Sequence, residues 1–246
     1  MLTFNFNKVK LDNENGIMLD LGCGEGRHIF GAMQKFPNLQ CVGLDPHLES
    51  LDKSLEGLEL FESLSNKTTT FLSGSAYSLP FGDSTFDLVV CSEVLEHLHE
   101  YRDAISEIYR VLKPGGKLLL TTPNKLMSLS RNPWHIREYS PIEMKNIIRK
   151  FFHQFEIKGV FGNKVIMDYY NKNKISVDKI TRYDVLNLQY TLPRWILKIP
   201  YDILNRFNRK KLRSDNTNMV NSIKVSDYSI KDSVDNCLDY FCIATK

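Results

Sequence analysis

Short apolar runs alternate with segments of helical periodicity through most of this chain. The runs are bounded by glycine, proline or acidic residues, and they predict strands at 17–20, 39–45, 68–72, 88–92, 117–122, 154–160 and 238–245. Apolar residues at helical spacing predict helices at 27–36, 48–64, 93–112 and 140–152. Because helix and strand alternate, the pattern predicts an α/β fold, doubly wound around a mainly parallel sheet.

The alternation stops between residues 161 and 230. This segment is rich in asparagine, lysine and tyrosine, and its apolar residues still recur at helical spacing. We therefore expect one core domain made of residues 1–160 and 231–246. The segment 161–230 is expected to be a helical insertion that precedes the last strand and forms a cap.

The first predicted strand is followed at every second position by a glycine: Gly22, Gly24 and Gly26. Glycines between a strand and a helix let the backbone approach a ligand closely. The dinucleotide pattern Gly-x-Gly-x-x-Gly fails because Arg27 stands three positions after Gly24, which disfavours a nicotinamide oxidoreductase. Asp20 and Glu25 would repel a pyrophosphate but would attract a cationic ligand.

A second acid ends the second predicted strand. Asp45 directly precedes Pro46, and one predicted helix separates its strand from the glycine turn. An acid at the tip of the second strand of a βαβ unit reaches the two hydroxyls of a ribose. Asp45 is therefore predicted to bind a ribose, and the alternative is a helix N-cap or a surface acid.

Charge is distributed unevenly between the two halves of the chain. Residues 1–125 hold 11 basic and 17 acidic residues, a net −6, whereas residues 126–246 hold 21 and 12, a net +9. The total of +3 is too small to make nucleic acid the default partner. Two binding tasks of opposite charge are therefore expected, with the acidic half carrying the glycine turn.

The cysteines and the absence of long apolar runs favour a cytoplasmic protein. The 246 residues contain five cysteines, no Cys-x-x-Cys pair and no run of 18 apolar residues. The N-terminus has no apolar signal core, so export is not expected. The cysteines are predicted to be buried thiols of a reducing compartment, without disulfides or zinc.

Several stretches together resemble the class I S-adenosylmethionine-dependent methyltransferases. They are Leu-Asp-Leu-Gly-Cys-Gly-Glu-Gly (19–26), Gly-Leu-Asp (43–45), Ser-Leu-Pro-Phe (78–81), Phe-Asp-Leu-Val-Val (86–90), Glu-Val-Leu-Glu-His (93–97) and Leu-Lys-Pro-Gly-Gly-Lys (112–117). The resemblance covers about residues 15–160. It implies a Rossmann-like, seven-stranded sheet whose last strand is antiparallel, with the cofactor bound across strands 1 and 4.

The resemblance also implies the residues that bind S-adenosylmethionine. Asp20 would orient the methionine ammonium, Asp45 would bind the ribose, and the glycine turn would pass beneath them. The implied cofactor-binding residues are Asp20, Gly22, Cys23, Gly24, Gly26, Asp45, Pro46, Ser75, Ala76 and Ser92.

The chain departs from this family in two places. Family members often carry an acid where this chain has Ser75, so the contact with the adenine amine is expected to be weaker, while the Ala76 backbone can still read the ring. Many relatives also have helices before the first strand that close over the cofactor. Only the short segment 1–15 precedes that strand here, so we expect the segment 161–230 to cover the site.

Two acids and two histidines are candidates for the methyl-acceptor side. In the helix predicted at 93–112, the residues Glu93, Glu96 and His97 fall at positions i, i+3 and i+4, on one face. His135 follows the fifth strand, so its loop starts from the same edge of the sheet. Such residues can hold Mg²⁺ or another divalent cation.

This arrangement resembles ubiquinone-pathway O-methyltransferases and small-RNA terminal 2′-O-methyltransferases, in which a metal binds the acceptor hydroxyls. The alternative is a helix-start motif without metal. His97 or His135 would then act as a general base, because an unperturbed imidazole titrates near pH 6.5.

The segment 194–213 is basic and amphipathic. It holds seven basic residues and one acid, and Trp195, Ile199, Ile203 and Phe207 fall near one helical face. Such a helix can lie on an anionic membrane surface or receive an anionic substrate, and the alternative is a lid helix with a solvated basic face.

The leading hypothesis from the sequence is a methyltransferase that O-methylates a small or lipid-linked acceptor. The alternatives are an RNA-modifying methyltransferase of the 2′-O type and a non-catalytic, cofactor-binding partner subunit. A cytoplasmic location with peripheral membrane contact through 194–213 goes with the leading hypothesis.

Overall fold

The fold is an eight-stranded sheet flanked by helices in the computed structural model, which describes residues 15–62, 69–215 and 223–246. The strands are β1 (Ile17–Leu21), β2 (Gln40–Asp45), β3 (Thr69–Ser73), β4 (Phe86–Ser92), β5 (Leu112–Pro123), β6 (Gln154–Gly162), β7 (Tyr228–Lys231) and β8 (Asp239–Thr245). The helices are α1 (Arg27–Lys35), α2 (Leu48–Glu62), α3 (Tyr101–Val111), α4 (Pro141–Arg149), α5 (Lys164–Thr181), α6 (Leu188–Thr191) and α7 (Arg194–Asp215).

The strand order is β3-β2-β1-β4-β5-β8-β6-β7. The first five strands in this order are parallel, and β8 runs antiparallel between β5 and β6. The expected doubly wound sheet with an antiparallel last strand is therefore confirmed. Chain order reverses between β1 and β4, and such a switch point opens a crevice at the carboxyl ends of the strands.

The expectation of seven strands is wrong by one strand. Residues 228–231, most of which we assigned to the helical insertion, form β7 and pair antiparallel with 159–162 of β6. The added strand satisfies backbone groups that β6 would otherwise leave unpaired at the sheet edge. So short a strand carries too few alternating positions to be distinguished from the helical periodicity before it.

The two faces of the sheet pack against different helices. Met18 of β1 lies in a cluster with Ile29 of α1 and Leu51 of α2. The adjacent Leu19 points to the other face and belongs to a cluster with α3 and α4 residues such as Ile105. Alternation along a strand thus gives both faces an apolar layer, as a doubly wound sheet requires.

All five cysteines are buried and free, as the sequence predicted. They are Cys23, Cys41, Cys91, Cys237 and Cys242. Several belong to the two apolar clusters on the faces of the sheet, where burial raises the pKa of each thiol that lies on β4 or β8. These thiols therefore serve as small apolar side chains of the core.

The boundaries of two predicted helices can be checked at their first residues. The helix predicted at 140–152 has the expected capping box, in which Ser140 and Glu143 bond each other's backbone N–H, and α4 begins at Pro141. The helix predicted at 93–112 begins only at Tyr101. Residues 95–97 instead form one 3₁₀ turn, and Glu93 has a left-handed φ of 56°.

Three helices, α5, α6 and α7, occupy most of the segment between β6 and β7. The buried amide of Asn208 on α7 joins α7 to α5, accepting from Ser176 Oγ (2.6 Å) and donating to Asn173 Oδ1 (2.7 Å). Among the described residues, no helix is both long and apolar enough to cross a membrane. The segment before β1, on which our expectation about cofactor closure partly rests, lies outside the described residues up to residue 14.

Candidate functional site

The glycine turn after β1 is fastened to the tip of β2. The backbone N–H groups of Gly22 and Cys23 donate to the Leu44 carbonyl at 2.7 and 3.2 Å. The N–H of Gly24 donates to Asp45 Oδ2 at 3.0 Å. Three successive donors thus point towards β2, and the turn holds its shape through backbone contacts.

All three glycines of the turn have left-handed φ angles, between 52° and 76°. A Cβ on Gly22 would lie 2.4 Å from Val94 Cγ2, so this position is closed by packing. A Cβ on Gly24 would meet no atom within 4 Å, so this position faces open space. Only at Gly24 does the turn present bare backbone to a ligand.

Asp20, at the carboxyl end of β1, is a buried acid without a hydrogen-bond partner. Its residue exposure is 0%, and neither carboxylate oxygen has a partner among the described residues. Burial, and next the charge of Asp45, raise the pKa of Asp20 to about 8. An unpaired buried carboxyl is costly unless a cation joins it, and a ligand ammonium would supply that cation.

Asp45 anchors the turn and remains beside the crevice. Its carboxylate accepts from the Gly24 N–H and, through Oδ1, from the His47 N–H at 2.9 Å. The side chain is buried, with 7% of the residue exposed. Each oxygen keeps a further lone pair for a hydroxyl, so the carboxylate can serve the turn and a ribose together. Pro46 stands between Asp45 and His47 in the chain.

The remaining predicted cofactor residues lie at or just after the carboxyl ends of β1, β3 and β4, in varied environments. Cys23 is buried, and burial raises the pKa of its thiol. Ser75 is exposed, and its hydroxyl accepts from the Tyr77 N–H at 3.2 Å, while Ala76 is half-buried. Ser92, at the end of β4, is buried and shares a 2.8 Å hydrogen bond with Thr121 of β5.

Three of the four acceptor-side residues converge at the carboxyl ends of β4 and β5. One oxygen of Glu96 and one ring nitrogen each of His97 and His135 all lie within 4.8 Å of one another. The two imidazole rings meet edge to face with centroids 5.0 Å apart. We call Glu96, His97 and His135 the acceptor triad.

Both histidines of the triad are held by their Nδ1 atoms. Nδ1 of His97 lies 3.0 Å from the Trp134 carbonyl oxygen, which can only accept, so Nδ1 carries the proton. Nδ1 of His135 lies 2.6 Å from Glu138 Oε1, and Glu138 also accepts from the Ser128 hydroxyl. When the ring is neutral and Nδ1 carries the proton, Nε2 has a lone pair, as in histidines that bind metals.

Glu96 is the buried member of the triad. Only 1% of it is exposed; Oε2 accepts from Thr122 Oγ1 at 2.9 Å, whereas Oε1 has no hydrogen-bond partner among the described residues. Burial raises the pKa of Glu96 to about 7, against its hydrogen bonds and the charge of His135. The free Oε1 of Glu96 lies 4.0 Å from His97 Nε2.

Glu93 does not join the triad, and the helical spacing that grouped it with Glu96 and His97 is wrong. The chain forms a 3₁₀ turn here because α3 begins later, and Glu93 turns at a positive φ. Burial, and next Glu96, raise the pKa of Glu93. Glu93 is therefore a half-buried carboxyl near Glu96 and not a fourth member of the triad.

The loop that carries His135 is fixed to the loop that carries Glu96. The Glu96 carbonyl accepts from the N–H groups of Ile136 (2.7 Å) and Arg137 (3.2 Å). At the start of the loop the buried Asn124 accepts from Tyr240 Oη at 2.5 Å and donates to the Cys237 carbonyl at 2.8 Å. These bonds to β8 and to the segment just before it hold a long loop that has little regular structure.

A cavity of about 870 Å³ opens beside the triad. The loop after β5, including His135 and Glu138, lines one side of it, and the remaining walls come from α5, α7 and the residues around α6. Its apolar lining includes Leu129, Val177, Ile180, Leu192, Leu197 and Leu204. Arg131, also in the lining, is bonded to the carbonyls of Gln189 and Tyr190 and so braces the wall.

Sequence reasoning missed four residues that shape this site: Thr121, Thr122, Glu138 and Asp239. The threonines lie near the end of β5, and Asp239, whose pKa burial raises to about 6, begins the neighbouring β8. Position at the carboxyl end of a central strand could have indicated the threonines. Nothing in the local pattern marks Asp239, because β8 is far from β5 along the chain.

Comparison with known proteins identifies the segment that carries the glycine turn and β4. Residues 19–120 match the family described as "Methyltransferase domain". An uncharacterized methyltransferase of Schizosaccharomyces pombe is 41% identical over 102 residues, which are 40% of this chain and 37% of that protein. The protein YafE of Escherichia coli is 31% identical over 140 residues, 52% of this chain and 65% of that protein.

A probable S-adenosylmethionine-dependent methyltransferase of Mycolicibacterium smegmatis is 36% identical, and 36% of each chain is covered. This chain thus spans little more than a third of the S. pombe and M. smegmatis relatives. The similarity to these two proteins accordingly concerns a part of each chain, and it is not evidence for a shared acceptor.

Solved structures share the overall fold. The YcgJ protein of Bacillus subtilis has a TM-score of 0.55 at 19% identity, with 94% of this chain and 92% of that chain covered. The [4+2]-cyclase SpnF has a TM-score of 0.57 at 19% identity, covering 94% and 75%. A cyclase among these neighbours means that the fold alone does not fix the reaction. Residues 19–120 of this chain thus match the methyltransferase domain family, and the fold around them is that of these solved structures.

Proposed function

We propose that this protein transfers the methyl group of S-adenosylmethionine to a hydroxyl of an apolar, small or lipid-linked acceptor. The proposal rests on two groups of side chains that have polar atoms without hydrogen-bond partners in the part of the chain that the structure describes. Both groups lie at the carboxyl ends of the central strands. Asp20 is a buried carboxyl that lacks a cation, and the acceptor triad offers a free oxygen and two free nitrogens beside a cavity.

The cofactor half of the proposal rests on the fit between the crevice and a cationic nucleoside. Asp20 is suited to the ammonium, Asp45 to the ribose hydroxyls, and the open side of Gly24 leaves space for a ligand. S-adenosylmethionine supplies a methyl group on a positively charged sulfur. The acids that repel a pyrophosphate thus favour this cofactor over a dinucleotide.

The acceptor half rests on how the triad is oriented. We propose that Glu96, His97 and His135 hold a divalent cation, since each histidine is fixed through Nδ1 by an acceptor and presents Nε2. A cation at this place would lower the pKa of an acceptor hydroxyl. Two nitrogens and one carboxylate suit manganese, iron, cobalt or zinc better than magnesium, which prefers oxygen ligands.

Without a cation the same residues would act by proton transfer. An imidazole Nε2 with a lone pair can accept the hydroxyl proton, and burial lowers the pKa of His97 further, which keeps it in the accepting form at neutral pH. The 2.6 Å contact between His135 Nδ1 and Glu138 Oε1 would hold the His135 ring in place. Both arrangements position a hydroxyl beside the triad, and they differ in whether chelation matters.

The cavity supports the proposed class of acceptor. Its size is within the range of sites that enclose drug-sized molecules, and its walls are mostly apolar. It reaches the triad through His135, so an apolar body in the cavity would direct a polar end towards Nε2. This arrangement supports a phenolic or lipid-linked hydroxyl more than a polynucleotide, which would require exposed basic and stacking groups.

The proposal is tested with methyl-labelled S-adenosylmethionine and a cell extract separated into lipid, small-molecule, RNA and protein fractions. We expect label in the lipid or the small apolar fraction. Label in RNA would favour the 2′-O-methyltransferase instead. Tight cofactor binding with no label in any fraction would favour a non-catalytic subunit.

The cation is tested separately, on the purified protein without acceptor. After chelator treatment, Mn²⁺ binding is followed by electron paramagnetic resonance, with Mg²⁺ and Zn²⁺ compared by calorimetry. One site per chain that is lost in Glu96→Gln supports the cation. If no ion binds and activity survives chelation, the histidines act as bases.

A further inference from the structure

The outer face of α7 carries large apolar side chains in contact with solvent. Trp195, Ile199, Ile203 and Phe207 recur at every fourth position, and their exposed fractions are 72, 71, 49 and 70%. None of the four lines the acceptor cavity, which is bounded by other residues of the helix such as Leu197 and Leu204. We call these four residues the α7 outer face.

The α7 outer face has the pattern of a surface that binds another surface. Single exposed apolar residues are common, but a continuous stripe along a helix marks a contact surface. The stripe includes a tryptophan and a phenylalanine, and tryptophan in particular lies favourably at the boundary between a bilayer and water. At 22 residues, α7 is within the length range of helices that lie in that boundary plane.

The positive charge of the segment 194–213 favours a lipid bilayer over a protein as the partner of this face. The segment 194–213 has seven basic residues and a single acid, Asp202. That acid faces the loop at Trp134, whose indole N–H it accepts at 3.0 Å. Arg206 and Lys210 are exposed near Phe207, and neither has an ion-pair partner among the described residues. Basic residues beside an apolar stripe match the phosphates of anionic lipids.

Exposed apolar residues also edge the cavity. Tyr183, Val185 and Leu186 line it, yet 81, 83 and 73% of these residues are exposed. A mouth with apolar edges suits a ligand that arrives from an apolar phase rather than from water.

We infer that α7 docks this protein on the surface of an anionic lipid bilayer, with the α7 outer face in the acyl–headgroup boundary and Arg206 and Lys210 on lipid phosphates. This inference is independent of the reaction proposed above. It concerns where the protein works, and it holds whichever hydroxyl is methylated.

The test is sedimentation of the whole protein with vesicles of phosphatidylcholine, with and without about a quarter of phosphatidylglycerol. We expect binding to the anionic vesicles that weakens as salt is raised. The double variant Trp195→Ser/Ile199→Ser should lose at least about tenfold in vesicle affinity. The double variant Arg206→Gln/Lys210→Gln should lose the preference for anionic vesicles.

Ile142→Ser is the matched control, because Ile142 is equally exposed (73%) but belongs to another helix, α4. It should bind vesicles as the unchanged protein does. Melting curves and cofactor affinity should stay unchanged in every variant, which separates a lost surface from a lost fold.

Two results would overturn the inference. One is equal sedimentation of the unchanged protein and both double variants, or no sedimentation at all. The other is a concentration-dependent dimer, seen by light scattering and abolished by Trp195→Ser/Ile199→Ser, because a second copy would then cover the face.

Discussion

The two ends of the proposed site are built in different ways. The cofactor end lies within the range 17–45, where β1, the glycine turn and the tip of β2 are joined by backbone hydrogen bonds. The acceptor end joins a 3₁₀ turn after β4 to a loop after β5 and to the helices α5 and α7. The first joins residues that are close together in the chain, and the second joins residues that are distant in sequence.

This difference indicates which part of the site can diversify. Backbone contacts tolerate few changes in geometry, and the glycine turn and β2 lie within the segment 19–120 that matches the methyltransferase domain family. The cavity walls come from a segment that the matched family does not include. Loops and added helices on a rigid sheet are where substrate specificity is usually placed.

The largest expected effect is at the open glycine. Gly24→Val should reduce cofactor affinity by more than about 100-fold, because the branched side chain would enter the space beside the turn. Calorimetry with S-adenosylmethionine measures this. Gly115→Val is the matched control: Gly115 also has a positive φ (80°) and open surroundings, but lies at the opposite sheet edge. Equal losses in both variants would mean that backbone strain alone is responsible.

A somewhat smaller loss is expected for Asp45→Asn. The amide keeps the shape of the side chain but loses the charge that two ribose hydroxyls would use, at about 2 kcal/mol, or roughly 30-fold in affinity. The exposed Asp52→Asn on α2 should change nothing. Unchanged affinity in Asp45→Asn would show that this acid serves only the glycine turn.

At the acceptor end, Glu138→Gln should weaken cation binding by about 10- to 100-fold. Glu138 touches no reacting atom in this account; it fixes the His135 ring by a 2.6 Å bond to Nδ1. Mn²⁺ titration measures the change, and the exposed Glu100→Gln provides the control. Rescue by Glu138→Asp would identify a positioning role, whereas full Mn²⁺ affinity in Glu138→Gln would contradict it.

The smallest expected effect is the release of a proton when the cofactor binds. With its pKa raised to about 8, Asp20 is mostly protonated at pH 7 in the cofactor-free protein, and a bound ammonium favours the carboxylate. Binding should therefore release about one proton, seen as a dependence of the calorimetric enthalpy on the buffer. Asp20→Asn should abolish that dependence. A buffer-independent enthalpy in the unchanged protein would mean that no cation joins Asp20.

The raised pKa of Asp20 also determines whether the free energy of unfolding rises or falls with pH. The folded pKa of Asp20 lies above the ordinary 3.8, so the folded chain holds a proton that the unfolded chain has lost. The free energy of unfolding of the cofactor-free protein should accordingly fall as pH rises from about 4 to about 8. Asp20→Asn should flatten this dependence in a series of melting curves.

The sequence predicted β1, the glycine turn and β2 for a physical reason. The acid, the glycines and Asp45 are close together in the chain, so periodicity and turn chemistry determine where they go. Parallel order and the antiparallel last strand are confirmed in the sheet as well. Periodicity and turn chemistry were sufficient where the residues in contact are close together in the chain.

At the acceptor end, local sequence patterns did not predict where the residues lie. Helical spacing grouped Glu93 with Glu96 and His97, but the chain between β4 and α3 is a 3₁₀ turn fixed by hydrogen bonds to the loop after β5. Glu138 and Asp239 acquire their positions only through tertiary packing. The strand β7 was missed for the same reason, since α5, α6 and α7 separate it in the chain from its pairing partner β6.

The most direct test of the account measures cofactor affinity and methyl transfer together in Glu96→Gln. The amide keeps a side chain of the same size beside Thr122 but removes the carboxylate from the acceptor triad. If the two ends are separate, the affinity for S-adenosylmethionine should stay within about twofold while transfer to the labelled fraction falls at least about 100-fold. Undiminished transfer would contradict the assignment of the acceptor triad, and a collapse of cofactor affinity would contradict the separation of the two ends.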